Sequence, residues 1–425
     1  MTYVLGVVLF AIGILISVAL HEAGHMGTAR MFGMKVTRFF IGFGPTLWSF
    51  RRRETEYGVK AIPAGAFVKI VGMTQQDDDV DPADDARAMW RYPVWKRTIV
   101  MSAGSMTHFA LGALILWGLF AFVPLQDAAK LQSEPVRVGS IAPCVQATWS
   151  VDPATKRERE CRPGADPPSA AAQLGLRRGD VITAIDGRPL HGWDTMSAAV
   201  RAAGGRQVEV AFVRDGQSRM AVVTLPLAER VRLDVVRDPT RTIEDITPAD
   251  LEEVGVLGIT PIVPTSTAGP VAAVGRAADQ TGLMFSNTLH SLQRVPEKIP
   301  ALWAAVTGGE RDPETPISVV GASRIGGELS DRGEWPTFLL LLAALNFFIG
   351  VFNLLPLLPV DGGHIAIAWF ERARSLLYAR LGRPDPGRVD YLKLMPLTYA
   401  VILIFAGFTL LTLVADIINP ITLPD

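Results

Sequence analysis

The sequence predicts a polytopic α-helical membrane protein that carries one large folded domain outside the bilayer. The chain of 425 residues is 49% hydrophobic and has a formal net charge of −1, a composition that excludes a disordered chain. Four stretches lack Asp, Glu, Lys and Arg for long enough to cross a bilayer, which takes about 20 residues of helix. Residues 126–334 separate the second stretch from the third and are numerous enough to form a domain of their own.

The four uncharged stretches are residues 2–20, 98–125, 335–360 and 394–415. We expect the first to be retained as a span and not removed as a signal peptide, because no positive charge precedes it and no small-residue cleavage site follows it. Each of the four is therefore interpreted as a transmembrane helix.

The distribution of basic residues predicts the orientation of the spans. Residues 21–97 carry twelve Lys and Arg side chains and residues 361–393 carry six, whereas residues 1–3 and 419–425 carry none. By the positive-inside rule both basic loops are cytoplasmic, which places both termini and the domain within residues 126–334 outside.

Composition also limits the partners and the redox chemistry. A net charge near zero gives no reason to expect a nucleic-acid partner, whereas the lipid bilayer is an expected one. Cys144 and Cys161 both lie in the predicted outer region, where one disulfide would suit an oxidising compartment. Two unpaired thiols on a loop remain the alternative, because spacing alone does not establish pairing.

The first cytoplasmic loop contains two segments typical of short, Gly-rich strands, residues 39–50 and 59–71. We expect them to form a re-entrant β-hairpin associated with the membrane. An open strand edge at membrane depth would leave backbone groups unsatisfied, which favours an edge that pairs with an extended segment of another chain. A hairpin that only packs the membrane domain together is the alternative.

The outer region has the pattern of a small α+β module. The predicted elements are a strand at 137–141, a short helix from Ser169, a strand at 181–185, a helix near 194–203 and a hairpin formed by 208–213 and 220–225. Gly175-Leu176, Gly179-Asp180-Val181-Ile182 and Ile185-Asp186-Gly187 give this module a resemblance to bacterial, circularly permuted PDZ domains. The resemblance implies binding of extended peptides, and a spacer that only limits access is the alternative.

The residues that indicate chemistry stand at the inner end of the first span and read His21-Glu22-Ala23-Gly24-His25. On a helix, histidines four residues apart lie about 40° apart on one face, so their nitrogens can converge on one metal ion. Glu22 lies close enough to act as general base on a water beside that metal. The alternative is a helix end whose polar side chains meet headgroup water, but ionisable residues at membrane depth usually mark function.

A catalytic zinc site needs a third protein ligand and one open position. The best candidate is Asp361, at the end of the third stretch, where Pro356 and Pro359 interrupt the helix and Gly362-Gly363 permits a tight backbone path. By the predicted topology Asp361 and His25 both lie toward the cytoplasmic side. A turn residue before glycine, or the N-cap of the next helix, is the alternative role for Asp361.

These motifs together resemble the site-2 protease family of zinc intramembrane metalloproteases, in particular the bacterial RseP type in its actinobacterial form with one PDZ domain. The resemblance rests on the first-span His-Glu-x-x-His, the PDZ-like module and a late Asn-x-x-Pro-x-x-x-x-Asp-Gly that begins at Asn353. It implies that His21, His25 and Asp361 bind one Zn²⁺ per chain and that Glu22 is the catalytic acid/base. It also implies that Asn353 holds the substrate backbone.

The family resemblance implies an endopeptidase of a bacterial inner or plasma membrane. It would hydrolyse a peptide bond within the transmembrane segment of a membrane-tethered regulator, such as an anti-sigma factor, in regulated intramembrane proteolysis. The substrate would first be trimmed by another protease. One alternative is a catalytically silent scaffold or receptor that carries a PDZ domain, against which the intact Glu22 argues. A transporter is another, but it would carry ionisable residues in several spans.

The chain departs from the family pattern in the second span, where many relatives have Gly-Pro-x-x-Asn and this chain has Gly104-Ser-Met-Thr-His108. His108 is interpreted as a hydrogen-bonded intramembrane histidine, with a proton carrier or a support of the metal ligands as alternatives.

The predicted organisation follows in chain order. It comprises a first span with the His-Glu-x-x-His motif (1–30), a cytoplasmic loop with the hairpin (31–97), a second span (98–125), a PDZ domain (136–228), an extracytoplasmic strand and amphipathic helices (229–334), a third span with the Asp-Gly motif (335–370), a cytoplasmic loop (371–393) and a fourth span (394–418).

Overall fold

The computed structural model describes residues 1–73, 81–151, 158–236, 241 and 243–423. The helices are α1 (Thr2–Met31), α2 (Val94–Phe122), α3 (Ala128–Ser133), α4 (Ala170–Gln173), α5 (Gly192–Ala202), α6 (Leu233–Val236), α7 (Gly269–Val306), α8 (Val319–Asp331), α9 (Trp335–Asn353), α10 (Asp361–Arg380) and α11 (Tyr391–Ile418). The strands are β1 (Val36–Arg52), β2 (Thr55–Ile70), β3 (Leu125–Gln126), β4 (Val136–Ile141), β5 (Val181–Ile185), β6 (Arg188–Pro189), β7 (Gln207–Arg214), β8 (Gln217–Thr224), β9 (Leu227–Val231), β10 (Leu251–Gly255), β11 (Ile259–Pro261) and β12 (Thr265–Ser266).

Four helices within the described residues are long and apolar enough to cross a membrane, and they are α1, α2, α9 and α11. Their long uncharged runs explain why they are helical, because a helix satisfies every backbone hydrogen bond within itself in hydrocarbon. The expectation of a multi-pass α-helical membrane protein is confirmed at this level.

The third predicted span is divided in two. Helix α9 ends at Asn353, and α10 begins at Asp361, so residues 335–370 are not one continuous helix. Pro356 and Pro359 lie in the connection, where the missing N–H groups and the steric bulk of proline interrupt the helical pattern. Helix α10 then continues to Arg380, into residues that the sequence assigns to a loop.

The chain forms two compact units. Unit 1 comprises Met1–Val123 and Ala268–Asp425, and unit 2 comprises Pro124–Thr267. Helices α7 and α8, which the sequence places in the outer region, belong to unit 1, where they pack against α2 and α1. At these contacts the ring of Phe109 on α2 lies 5.9 Å from that of Phe285 on α7.

Strands β1 and β2 form the predicted hairpin. Each strand contributes two segments, so the hairpin folds into a small sheet of four strand segments. Residues 38–41 pair with residues 66–69 on one side and with residues 56–59 on the other, while residues 48–52 pair with 55–59. The end of β2 is therefore an edge of this sheet. The side of this segment that points away from β1 faces α1, which packs against β2.

Unit 2 contains a sheet in the order β11-β4-β5-β7-β8, with β6 beside β5. Strands β4, β5, β7 and β8 and helix α5 occur where the sequence predicts them. The short strand β6 was not predicted, and the edge strand β11 comes from beyond residue 228, the expected end of the module. Its core is formed by apolar side chains of the sheet and α5, among them Ile182, Val210 and Met196. Cys144 and Cys161 form a disulfide with their Cα atoms 5.7 Å apart.

An ion pair fixes the loop that leads into β5. Arg214 of β7 donates to both carboxylate oxygens of the buried Asp180, at 2.9 and 2.7 Å. The guanidinium holds the pKa of the Asp180 carboxyl below its ordinary value. The Gly179-Asp180 segment of the PDZ-like motif thus has a structural function within unit 2.

Candidate active site

The two histidines of α1 point into unit 1, and only 6% of His21 and 3% of His25 is exposed. Their Nε2 atoms lie 3.1 Å apart. The Nδ1–H of His25 donates to the carbonyl oxygen of Val100 on α2, at 2.7 Å. Because that hydrogen bond takes the ring proton, Nε2 of neutral His25 carries a free lone pair, as a metal ligand requires.

The close crossing of α1 and α2 explains this burial. A Cβ atom at Gly24 of α1 would lie 2.8 Å from the carbonyl oxygen of Ala103, and one at Gly104 of α2 would lie 2.5 Å from both histidine rings. Small residues allow two membrane helices to approach closely. Gly104 therefore leaves the space that the two imidazole rings occupy.

Asp361 reaches the histidines from the first turn of α10. Its Oδ2 atom lies 3.2 Å from Nε2 of His21 and 3.2 Å from Nε2 of His25. Glycine is required immediately after it, because a Cβ at Gly362 would collide with the carbonyl oxygens of Leu354 and Leu355 in the preceding connection. Asp361 is thus held where the interrupted third span turns back on itself.

Contacts farther along α10 hold this helix against α2. Glu371 forms an ion pair of 3.2 Å with Arg97, and both side chains are largely buried. Trp369 donates to Thr98 through its indole nitrogen at 3.0 Å. These contacts join the start of α2 to α10 and so fix Asp361 relative to Gly104 and the histidines.

The three donor atoms fit a zinc ion. Nε2 of His21, Nε2 of His25 and Oδ2 of Asp361 form a triangle with sides of 3.1–3.2 Å. In a tetrahedral site with bonds of about 2.0–2.1 Å, ligand atoms lie about 3.3 Å apart. Oδ2 of Asp361 has no hydrogen-bond partner among the described residues although it is buried. Two imidazoles and one carboxylate are a donor set that catalytic zinc uses.

Glu22 lies beside this triangle and is held by the hairpin. Its Oε2 atom accepts a hydrogen bond from the backbone N–H of Val68, at 3.0 Å. Val68 belongs to the part of β2 that forms the edge of the sheet. The carboxylate is therefore attached to a strand edge as well as to the helix that carries the histidines.

Asn353, the predicted substrate-binding residue, is the last residue of α9 and lies one connection before Asp361. It is half-buried, and its side-chain amide has no hydrogen-bond partner in the part of the chain that the structure describes. The structure thus brings His21, Glu22, His25 and Asp361 into one cluster and leaves the Asn353 amide available.

Sequence reasoning missed Asn346. This residue of α9 is 1% exposed, and its Oδ1 lies 2.8 Å from Nδ1 of His108. The available signal was a second asparagine in a largely apolar span, two helical turns before Asn353.

A protein-family model described as peptidase family M50 matches residues 9–382 of the chain. The chain belongs to this family. Among the chain's relatives, zinc metalloprotease Rip1 of Mycolicibacterium smegmatis is 41% identical over the full length of both proteins. Zinc metalloprotease Rip1 of Mycobacterium tuberculosis is 42% identical, again over the full length of both.

The comparisons confirm the resemblance to site-2 proteases and to their actinobacterial form. A chain of family M50 is a peptidase, and the catalytically silent scaffold is not favoured. The M50 match covers all four clustered residues, because it extends from the first span through α10.

Proposed function

We propose that this M50 chain is a zinc-dependent endopeptidase that cleaves the transmembrane segment of a membrane-tethered regulator in regulated intramembrane proteolysis. The observation that carries the proposal is the triangle of His21, His25 and Asp361 donor atoms, with Glu22 beside it, at the end of a helix long enough to span a membrane. The zinc metalloprotease names of the full-length relatives support the choice of one Zn²⁺ per chain.

The proposed mechanism assigns one function to each residue. His21, His25 and Asp361 would hold the zinc ion, which when bound would supply Lewis-acid chemistry for a peptide carbonyl and for water. The Glu22 carboxylate accepts a proton from the attacking water and then donates it to the nitrogen of the leaving amine. The hydrogen bond from Val68 orients the Glu22 carboxylate for both transfers.

A transmembrane substrate must unwind before it can react, because its carbonyls are engaged in helical hydrogen bonds. We propose that the unwound segment pairs with the edge of β2 and that the Asn353 amide holds its backbone. The Val68–Glu22 hydrogen bond supports this, since it attaches that edge to the carboxylate that carries out proton transfer.

Cleavage assays with purified protein test the assignment of Glu22. A panel of single-span reporters with short outer segments would be reconstituted with the enzyme, and the cut position read by mass spectrometry. We expect the wild-type chain to cut within a span, and Glu22→Gln to be slower by at least 10³-fold. Glu297→Gln, an exposed change on α7, is the matched control and should cleave at the wild-type rate. Cleavage by Glu22→Gln at the wild-type rate contradicts the proposed general base.

The orientation is part of the proposal, with both termini and a PDZ domain outside a bacterial plasma membrane. It rests on the basic residues of the two cytoplasmic loops. Two single-cysteine variants test it, Arg52→Cys next to the turn of the hairpin and Gln217→Cys on β8. Both positions are exposed. The native Cys144 and Cys161 are joined in a disulfide and so do not react with a maleimide. A membrane-impermeant maleimide added to intact cells should label only the second. Labelling of the first contradicts the orientation.

A further inference from the structure

His108 is buried within unit 1 and has a defined tautomer. It is 1% exposed, and its Nδ1 atom lies 2.8 Å from Oδ1 of Asn346. The Nδ2 of Asn346 donates to the carbonyl oxygen of Leu342, at 2.8 Å, which identifies the atom facing His108 as the oxygen. Because an amide oxygen only accepts, Nδ1 of His108 carries the proton. In the neutral ring, Nε2 then presents a lone pair.

Two buried ring nitrogens, on neighbouring histidines, have no hydrogen-bond partner among the described residues. They are Nε2 of His108 and Nδ1 of His21. The two rings are neighbours, with centroids 5.1 Å apart. Leaving a buried polar nitrogen unsatisfied costs about 1–3 kcal/mol, so two such atoms in one place call for an explanation.

The chemistry of the two nitrogens is complementary. A histidine that ligates a metal through Nε2 carries its proton on Nδ1 and needs an acceptor for it, which in metal sites is usually a carboxylate, a carbonyl or water. The lone pair on Nε2 of His108 is such an acceptor. The corresponding acceptor for His25 is the carbonyl oxygen of Val100, so His21 is the ligand whose Nδ1–H lacks one.

Helix α2 places the ring of His108 beside the ring of His21. A Cβ at Gly104 would lie 2.6 Å from Nδ1 of His21, which shows that this side of the imidazole faces α2. His108 follows Gly104 by four residues and therefore lies on the same face of the helix, one turn along. With the ring centroids 5.1 Å apart, one hydrogen bond, direct or through a single bridging water, can join the two rings.

We propose that His108 is a positioning residue for the metal site: its Nε2 accepts the Nδ1–H of His21, directly or through one water, while Asn346 fixes its tautomer. The resulting series of hydrogen bonds runs from the Asn346 oxygen through His108 to His21. It ends at the Nε2 atom of His21, which faces Asp361. This inference rests on the proposed zinc site. It gives the histidine in the second span a function in ligation and not in proton transfer to the substrate.

Zinc affinity measured by competition with a chelator at fixed pH tests the inference without reference to activity. Loss of an outer hydrogen-bond partner typically weakens metal binding 10- to 100-fold. We expect this weakening for His108→Ala, and a weakening of at least threefold for Asn346→Leu, which removes the acceptor that sets the tautomer. His290→Ala, an exposed histidine change on α7, is the matched control and should keep the wild-type affinity.

The melting temperature of each metal-free variant shows whether the fold is intact, and Asn346→Leu provides the test if His108→Ala does not fold. Wild-type zinc affinity in both folded variants overturns the inference, even if the turnover rate falls, because that result would place His108 at the substrate. His21→Ala separates the two proposals. If His21→Ala keeps its zinc, the proposed metal site itself is wrong; if it loses zinc while His108→Ala does not, only the inference fails.

Discussion

At the scale of a single residue, Gly104 leaves the space that the two histidines of the proposed metal site occupy. It lies where α2 crosses the two histidines of α1, and a methyl group there would overlap both rings. Overpacking of a buried site costs about 1–3 kcal/mol and forces side chains from their positions. The position of the two histidine Nε2 atoms, 3.1 Å apart, thus depends on the absence of a side chain on a different helix.

We expect Gly104→Ala to weaken zinc binding at least tenfold and to lower peptidase activity with it, because the added methyl group displaces His21 and His25. Gly118→Ala is the matched control, since the same change later on α2 meets no atom within 4 Å. Chelator competition and a cleavage assay on both variants measure the effect. A Gly104→Ala protein with wild-type zinc affinity would show that the crossing is less tight than this geometry requires.

At the scale of elements, the edge of β2 joins the hairpin to the cluster of candidate site residues, through the hydrogen bond between Val68 and Glu22. Backbone groups of a strand point alternately to its two sides, so Ala66 presents its N–H to the same side as Val68, away from β1. The N–H of Val68 is engaged by Glu22. Ala66 therefore offers a test of substrate pairing that leaves the pairing of β1 with β2 intact.

We expect Ala66→Pro to lower the rate of substrate cleavage at least fivefold without reducing zinc content, because proline removes one donor from the edge and its ring obstructs a partner strand. Ala66→Ser keeps the N–H and is the control, which should cleave at a rate near that of the wild type. Kinetics and metal analysis on the same preparations measure both quantities. Equal rates for the proline and serine variants would contradict substrate pairing at this edge.

Elements governed by local sequence were predictable, and those governed by distant contacts were not. The spans followed from uncharged runs, and the clustering of His21, Glu22 and His25 followed from helical spacing. The second pairing of residues 38–41, the addition of β11 to the sheet and the packing of α7 along α2 join segments far apart in sequence. The His108–Asn346 contact spans 238 positions, and no periodicity in either helix encodes it.

At the scale of the whole molecule, unit 2 is an insertion between α2 and α7. The ends of unit 1 on either side of it are adjacent, because the N–H of Ala268 donates to the carbonyl oxygen of Phe120, at 2.9 Å. A short linker can therefore replace Pro124–Thr267 without stretching unit 1. We propose that this insertion excludes substrates with large outer domains, so that another protease must trim them first.

Capture is the alternative function for unit 2. A groove between α5 and the edge strand β11 is lined by Trp193, Met196, Val200 and Ile259, and an extended peptide adding to β11 would lie in it. The two ideas make opposite predictions about a chain that lacks unit 2. Zinc chemistry itself does not distinguish one unwound span from another, so selectivity must come from elsewhere in the molecule.

We expect a chain in which a Gly-Ser linker joins Val123 to Ala268 to cleave a reporter that still carries its folded outer domain, which the wild-type chain leaves intact. If unit 2 instead captures substrates, the chain without unit 2 would cleave even a trimmed reporter more slowly than the wild type. Rates on paired trimmed and untrimmed reporters decide between them. Unchanged selectivity and rate after removal of unit 2 would contradict both functions.

We propose that His21, His25 and Asp361 hold one catalytic zinc ion while Glu22 acts on the reacting groups without binding it. Metal analysis of purified variants tests this most directly, because it separates ligands from the general base. We expect about one zinc per chain in the wild type and in Glu22→Gln, and little or none in His21→Ala, His25→Ala or Asp361→Ala. Full zinc content together with full activity in Asp361→Ala would show that Asp361 is not a ligand of the catalytic zinc ion.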